Sequence, residues 1–93
     1  MKSYHIHILG RVQGVGFRYF TLQAAQKNSV SGWVKNLPDG SVEIIATGSD
    51  DRLKAFLHAV SKGPSYSRVM DVQVDEFDQD DQIGKDQSKF IVL

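Results

Sequence analysis

Apolar and polar positions along the chain change period four times, twice from two to about 3.6 and twice back, and each change marks an element. Tyr4, Ile6 and Ile8 alternate with His5 and His7, which places the three apolar side chains on one face of a strand. Glycines at 10, 14 and 16 follow, a density that no strand or helix interior tolerates cheaply. Residues 17–27 are free of Gly and Pro and read as a helix. Phe20, Ala24 and Lys27 lie along one row of it, with Leu22 and Ala25 beside that row, and Asn28 suits a left-handed C-terminal cap. Residues 32–36 and 41–46 read as strands, and the Pro38-Asp39-Gly40 turn joins them into a hairpin.

The second helix is signalled by an N-cap candidate, Ser49, and by Asp50 and Asp51 at the positive end of the helix dipole. Leu53, Phe56, Leu57 and Val60 fall at i, i+3, i+4 and i+7 as a core-facing stripe, and Gly63-Pro64 ends it. Met70, Val72 and Val74 alternate in a fourth strand. Residues 78–88 carry only Ile83 as an apolar anchor and read as a solvated loop. Residues 90–93 form a last short strand, expected either to continue the fourth or to pair beside it. The order βαββαβ predicts the α+β class: a split βαβ, ferredoxin-like two-layer sandwich with both helices on one face of an antiparallel sheet.

Ninety-three residues suit one compact domain, 1–93, with a single continuous core. The absence of cysteine excludes disulfides, thiolate nucleophiles and thiolate metal sites. Apolar runs are far too short for a membrane span, and the first residues lack the apolar block of a secretory signal, so a cytoplasmic chain is expected. Eleven basic side chains balance eleven acidic ones, which argues against a nucleic-acid binder with a broad basic face. That zero hides a segregation. Residues 1–38 hold Lys2, Arg11, Arg18, Lys27 and Lys35 and no acid, whereas residues 71–86 hold seven acids against Lys85 alone. Either the first third attracts an anion, or the two ends attract each other in the fold.

The candidate chemistry lies in Gly10-Arg11-Val12-Gln13-Gly14-Val15-Gly16-Phe17-Arg18, a glycine-rich link from strand to helix. Backbone N–H groups in such a link can converge on an anion, with the helix N-terminus adding its dipole and Arg18 a planar fork for phosphate oxygens. The plainer alternative is a tight turn with Arg18 solvated. Known phosphate and nucleic-acid motifs do not fit. No Gly-Lys-Ser/Thr tripeptide exists for a Walker A loop. A dinucleotide fingerprint needs a small residue where Tyr19 stands and an acid well before Asp39. An RNP1 motif is broken by Gln13, Val15 and Arg18.

The same segment, followed by Gly32-Trp33-Val34-Lys35-Asn36 and Asp39-Gly40-Ser41-Val42-Glu43, resembles the acylphosphatase family over nearly the whole chain. Family members more often show Gly-Leu where this chain has Ser29-Val30. The resemblance implies a ferredoxin-like monomer that hydrolyses a small-molecule acyl phosphate without cofactor, metal, nucleic acid or membrane. It also implies that Arg18 and the backbone amides of Gln13, Gly14, Val15, Gly16 and Phe17 hold the phosphate, and that Asn36 orients the attacking water. The chemistry is consistent with so sparse a site. A carboxylate leaving group has a pKa near ~4 and departs without a proton, so positioning and charge stabilisation are the main requirements.

A binding module for a small anion, without catalysis, is the alternative on the same fold. Asn36 discriminates, because a pure anion binder has no use for a neutral amide beside the phosphate. His5 and His7 share a strand face and could chelate a metal, but lack a third ligand at sensible spacing. His58 falls off the apolar stripe and reads as solvated, Trp33 as core or sheet surface, and Tyr4, Phe17, Tyr19 and Phe20 as packing around the loop.

Overall fold

The computed structural model describes residues 1–78 and 89–93. The elements are β1 (Lys2–Arg11), α1 (Phe17–Lys27), β2 (Ser31–Asn36), β3 (Val42–Gly48), α2 (Asp50–Lys62), β4 (Arg68–Asp78) and β5 (Phe90–Val92). They build one five-stranded sheet in the order β4-β1-β3-β2-β5. The first four strands pair antiparallel, and β5 runs parallel to β2. The result is a ferredoxin-like α+β sandwich whose sheet is mixed rather than purely antiparallel.

Alternation along β1 places Tyr4, Ile6 and Ile8 in the core. Ile6 and Ile8 stand opposite Ile44 and Val42 of β3, and Val34 of β2 stands opposite Ile44. Phe17, Ala24 and Ala25 of α1 and Leu53, Phe56 and Val60 of α2 join the same cluster. Full burial of each large apolar side chain contributes about 1.5–3 kcal/mol. The α2 stripe is as expected. Ser49 occupies the N-cap but makes no side-chain cap bond, so Asp50 and Asp51 supply the negative charge at that end.

Four local expectations need correction. The fifth strand neither continues β4 nor pairs beside it: it lies at the opposite edge, held to β2 by Gly32 N–H to the Lys89 carbonyl (2.9 Å) and Leu93 N–H to the Val34 carbonyl (2.8 Å). The alternation of Met70, Val72 and Val74 is broken by an irregularity opposite Leu9 and Gly10. Met70 is consequently 74% exposed, while Val69 and Val72 pack against the core. In α1 the buried row is Phe17, Thr21, Ala24 and Ala25. Phe20 is only half-buried and Lys27 exposed. Thr21 can be interior because its hydroxyl donates to the Phe17 carbonyl at 2.8 Å.

The left-handed residue after α1 is Ser29 (φ 53°), one position beyond the expected Asn28 (φ −102°). Asp78, expected to open the loop 78–88, belongs to β4, and the rest of that stretch, Ile83 included, lies outside the described residues. Lys2 reaches Glu76 at 2.7 Å and Asp50 at 3.6 Å, so the acidic end of the chain does meet a base from the acid-free third. These pairs are half-exposed and worth little in stability. Among the described residues no helix is long and apolar enough to cross a membrane.

Candidate active site

The β1–α1 link opens a cleft of about 370 Å³ lined by Val12, Gly14, Gly16, Phe17, Arg18, Tyr19, Asn36 and Val92. Its floor is a backbone feature. Gly14 and Gly16 adopt φ of 75° and 76°, and the residues between and beside them keep negative φ. Alternation of φ sign along successive residues is the backbone pattern from which anion nests are built. A Cβ at either glycine would meet nothing within 4 Å. Glycine is therefore required at both for its dihedral angle and not for space.

Gly16 is also the N-cap of α1, so the nest continues into the helix N-terminus. Initial N–H groups of a helix lack intrahelical partners and carry its positive dipole end. No acidic residue stands in the first turn of α1, and Gly16 offers no side-chain cap. α2 carries Asp50 and Asp51 at the same place. One helix neutralises its own positive end; the other leaves it facing the cleft.

Arg18 follows on that first turn and is exposed at the cleft. Its Nη1 donates to the Leu93 main-chain oxygen at 2.8 Å. A guanidinium has five N–H donors, so this anchor leaves capacity for phosphate oxygens. Asn36 ends β2 on another wall of the cleft, and its side-chain Oδ1 is buried without a hydrogen-bond partner among the described residues. A buried acceptor left unsatisfied costs about 1–3 kcal/mol, so a donor is called for at that point.

Behind the cleft, Gln13 sends its side chain to the β2–β3 turn, where Nε2 donates to the carbonyls of Leu37 (2.7 Å) and Ser41 (2.8 Å). The Ser41 hydroxyl donates to Asp39 Oδ1 and accepts from His7 Nε2 at 2.7 Å. Hydrogen bonds from the Ser41 hydroxyl and then its amide, followed by the nearby His7, hold the Asp39 carboxyl below the usual carboxylate range. The order is Asp–Ser–His, with the serine in the middle. His7 does not stand between the serine and the carboxylate, so this is not a nucleophilic triad.

The sequence-derived residues Arg18, Asn36, Gly14, Gly16 and Phe17 all line the cleft; Gln13 and Val15 lie in the same loop. Tyr19, expected to pack, is 63% exposed at the cleft mouth, whereas Tyr4 and Phe17 are core. His5 bonds Glu43 at 2.7 Å, and Lys35, near the same carboxylate, stacks over Trp33 at 5.3 Å. Among the described residues no group of three or more His, Cys, Asp or Glu is placed to hold a metal. The Leu93 oxygen, Val92 and the Gln13 side-chain clamp were not foreseeable from local pattern, because all three depend on which strands become neighbours.

The family model "Acylphosphatase" matches residues 4–91. The acylphosphatase of Oceanobacillus iheyensis is 47% identical over 91 residues, covering 97% of this chain and all of that one. The crystal structure of acylphosphatase from Bacillus subtilis superposes with a TM-score of 0.91 at 42% identity, covering 100% of this chain and 99% of that one. An acylphosphatase from Coxiella burnetii gives 0.87 at 33% identity, covering 99% and 92%.

Proposed function

This chain belongs to the acylphosphatase family, and from that premise we propose that Arg18 and the 13–17 backbone amides hold the phosphate of an acyl phosphate while Asn36 orients the attacking water. Acyl-phosphate hydrolysis is the activity of the family; the assignment of roles to residues is our reading. The observation that carries it is the orphaned Asn36 Oδ1 in the same cleft as the glycine cradle and Arg18. A water donating one O–H to that oxygen would have its own lone pair free to point at phosphorus.

The step balances without a protein nucleophile. The water oxygen forms a bond to phosphorus, the bond from phosphorus to the carboxyl oxygen breaks, and its electron pair leaves as carboxylate. The water proton passes to the product phosphate or to solvent. In a loose transition state the charge sits on the equatorial oxygens, where converging N–H groups and a guanidinium act best. A weakly basic leaving group needs no general acid.

Phosphate release from acetyl phosphate in EDTA tests the reading, with a phosphate monoester as control. We expect release from the first and none from the second, and Arg18→Gln is expected to abolish phosphate binding and turnover together. Parent-rate hydrolysis by Arg18→Gln would overturn the assignment, and so would release that EDTA abolishes. Phosphate binding without any release would return the chain to a non-catalytic anion-binding module.

A further inference from the structure

We propose that the Gln13 side chain is a positioning residue for the reaction, holding the phosphate cradle at its working distance from Asn36; the proposal rests on the roles assigned above to Arg18 and Asn36. Gln13 belongs to the cradle through its backbone, yet its side chain leaves the cradle and ends on the β2–β3 turn. Both atoms it meets are carbonyl oxygens, so only the amide N–H₂ end can face them, one hydrogen to each.

The two oxygens bracket the catalytic end of β2. Leu37 directly follows Asn36, and Ser41 directly precedes Val42, the cross-strand partner of Asn36. Each oxygen also accepts a backbone bond: Leu37 from the Gly40 N–H at 3.1 Å, Ser41 from the Leu37 N–H at 2.9 Å. With Gln13 added, each uses both its lone pairs. Ser41 is further fixed by its amide on Asp39 Oδ1 at 2.9 Å and by His7 on its hydroxyl. The turn is therefore a stiff reference point, and Gln13 is the strut that joins the anion loop to it.

Such a strut acts on geometry alone. The amides that would bind phosphate are backbone, and the charge is on Arg18, so neither is removed when the side chain changes. What changes is where phosphorus sits relative to the water on Asn36. Misplacement of about 1 Å between reacting groups can cost on the order of 10²-fold in rate. Removal of the strut also leaves no orphaned carbonyl, because each oxygen retains its backbone donor.

The experiment is a double-mutant cycle on the full chain with Gln13→Met, which keeps side-chain bulk and removes both donors, and Asn36→Ala. Readouts are kcat with acetyl phosphate and the dissociation constant of inorganic phosphate. We expect Gln13→Met to lower kcat by roughly 10- to 100-fold while phosphate affinity stays within about threefold. In the Asn36→Ala background the same change is expected to cost less than about threefold, since a lost water position cannot be lost twice. Parent kcat in Gln13→Met, or losses that multiply in the double variant, would overturn the strut. So would loss of phosphate binding in Gln13→Met, which would make the side chain part of the cradle itself. Parent kcat in Asn36→Ala would instead overturn the underlying reading, so the two failures are distinct.

Discussion

Asn36→Ala is expected to slow the enzyme while leaving the fold as stable as before or more so. Its Oδ1 is buried with no partner among the described residues. Folding gives that oxygen no hydrogen bond from the described residues, a cost of about 1–3 kcal/mol that the water it orients in the cleft offsets only in part. Alanine removes the uncompensated remainder. Against this stands a little lost packing, which is small because the side chain borders an open cleft and leaves no sealed cavity. The balance lies between zero and about 2 kcal/mol in favour of the variant. For a domain of this size 1 kcal/mol moves Tm by about 4–8 °C, so thermal unfolding by circular dichroism resolves it. Turnover moves the other way: loss of one oriented hydrogen bond at a reacting centre costs on the order of 10²–10³ in kcat. Affinity for inorganic phosphate is expected to persist. Asn36→Asp is the control, since it keeps the shape but sets a negative charge beside the phosphate, and both kcat and phosphate affinity are expected to fall. A drop in Tm of 10 °C or more in Asn36→Ala would refute the reasoning, because it would make Asn36 a scaffold residue whose loss slows the enzyme by unfolding it.

Phe90→Ala removes the ring that packs 5.9 Å from Phe56 and docks β5; half-burial scales the usual loss to about 2 kcal/mol, and KM for acetyl phosphate is expected to rise because Arg18 loses its anchor on Leu93. Parent KM in that variant would show that Arg18 needs no anchor. Ser29→Gly relieves a left-handed serine at φ 53° and is expected to stabilise by about 0.5–1 kcal/mol, readable as a shift in urea midpoint. Asp39 has its folded pKa depressed by Ser41 and His7, so its contribution to stability is present above its unfolded pKa and is lost as pH falls through the folded one. Urea midpoints measured from neutral pH down to below about pH 4 are therefore expected to fall less steeply in Asp39→Asn than in the parent; equal slopes would remove Asp39 from the account.

What could be read from the sequence was what is encoded locally. The α2 stripe, the β1 alternation and the 38–40 turn depend on residues within a few positions of one another, and the structure reproduces them. The cradle was legible for a related reason: only glycine takes the left-handed angle cheaply, so Gly14 and Gly16 announce backbone conformation directly. Thr21 misled because it is polar by composition and interior by virtue of its own helix carbonyl. Met70 misled because a bulge opposite Leu9 and Gly10 resets alternation without any mark in β4. The placement of β5 against β2 is a long-range choice of partner, and three residues carry no pattern that names it. The site details missed, namely the Arg18 anchor and the Gln13 clamp, are products of that same long-range assembly.

The proposed anion site is local, and the fold explains why overall charge is a poor guide to it. The cleft opens where β1 ends, and there Arg11 pairs with Arg68, whereas Asp75, Glu76 and Asp78 pair with His5, Tyr4 and Lys2 toward the other end of the strand. Six residues at about 3.3 Å each separate His5 from Arg11, roughly 20 Å in all. That exceeds the Debye length of about 8 Å at physiological salt, so the acids are largely screened from the cleft. Of the described residues lining the cleft, only Arg18 is charged. The remaining attraction comes from backbone dipoles that cancel beyond a few ångströms and leave no trace in a count of lysines and aspartates. The proposed phosphate site thus rests on groups that composition cannot register, placed there by two left-handed glycines and a helix whose first turn carries no acid.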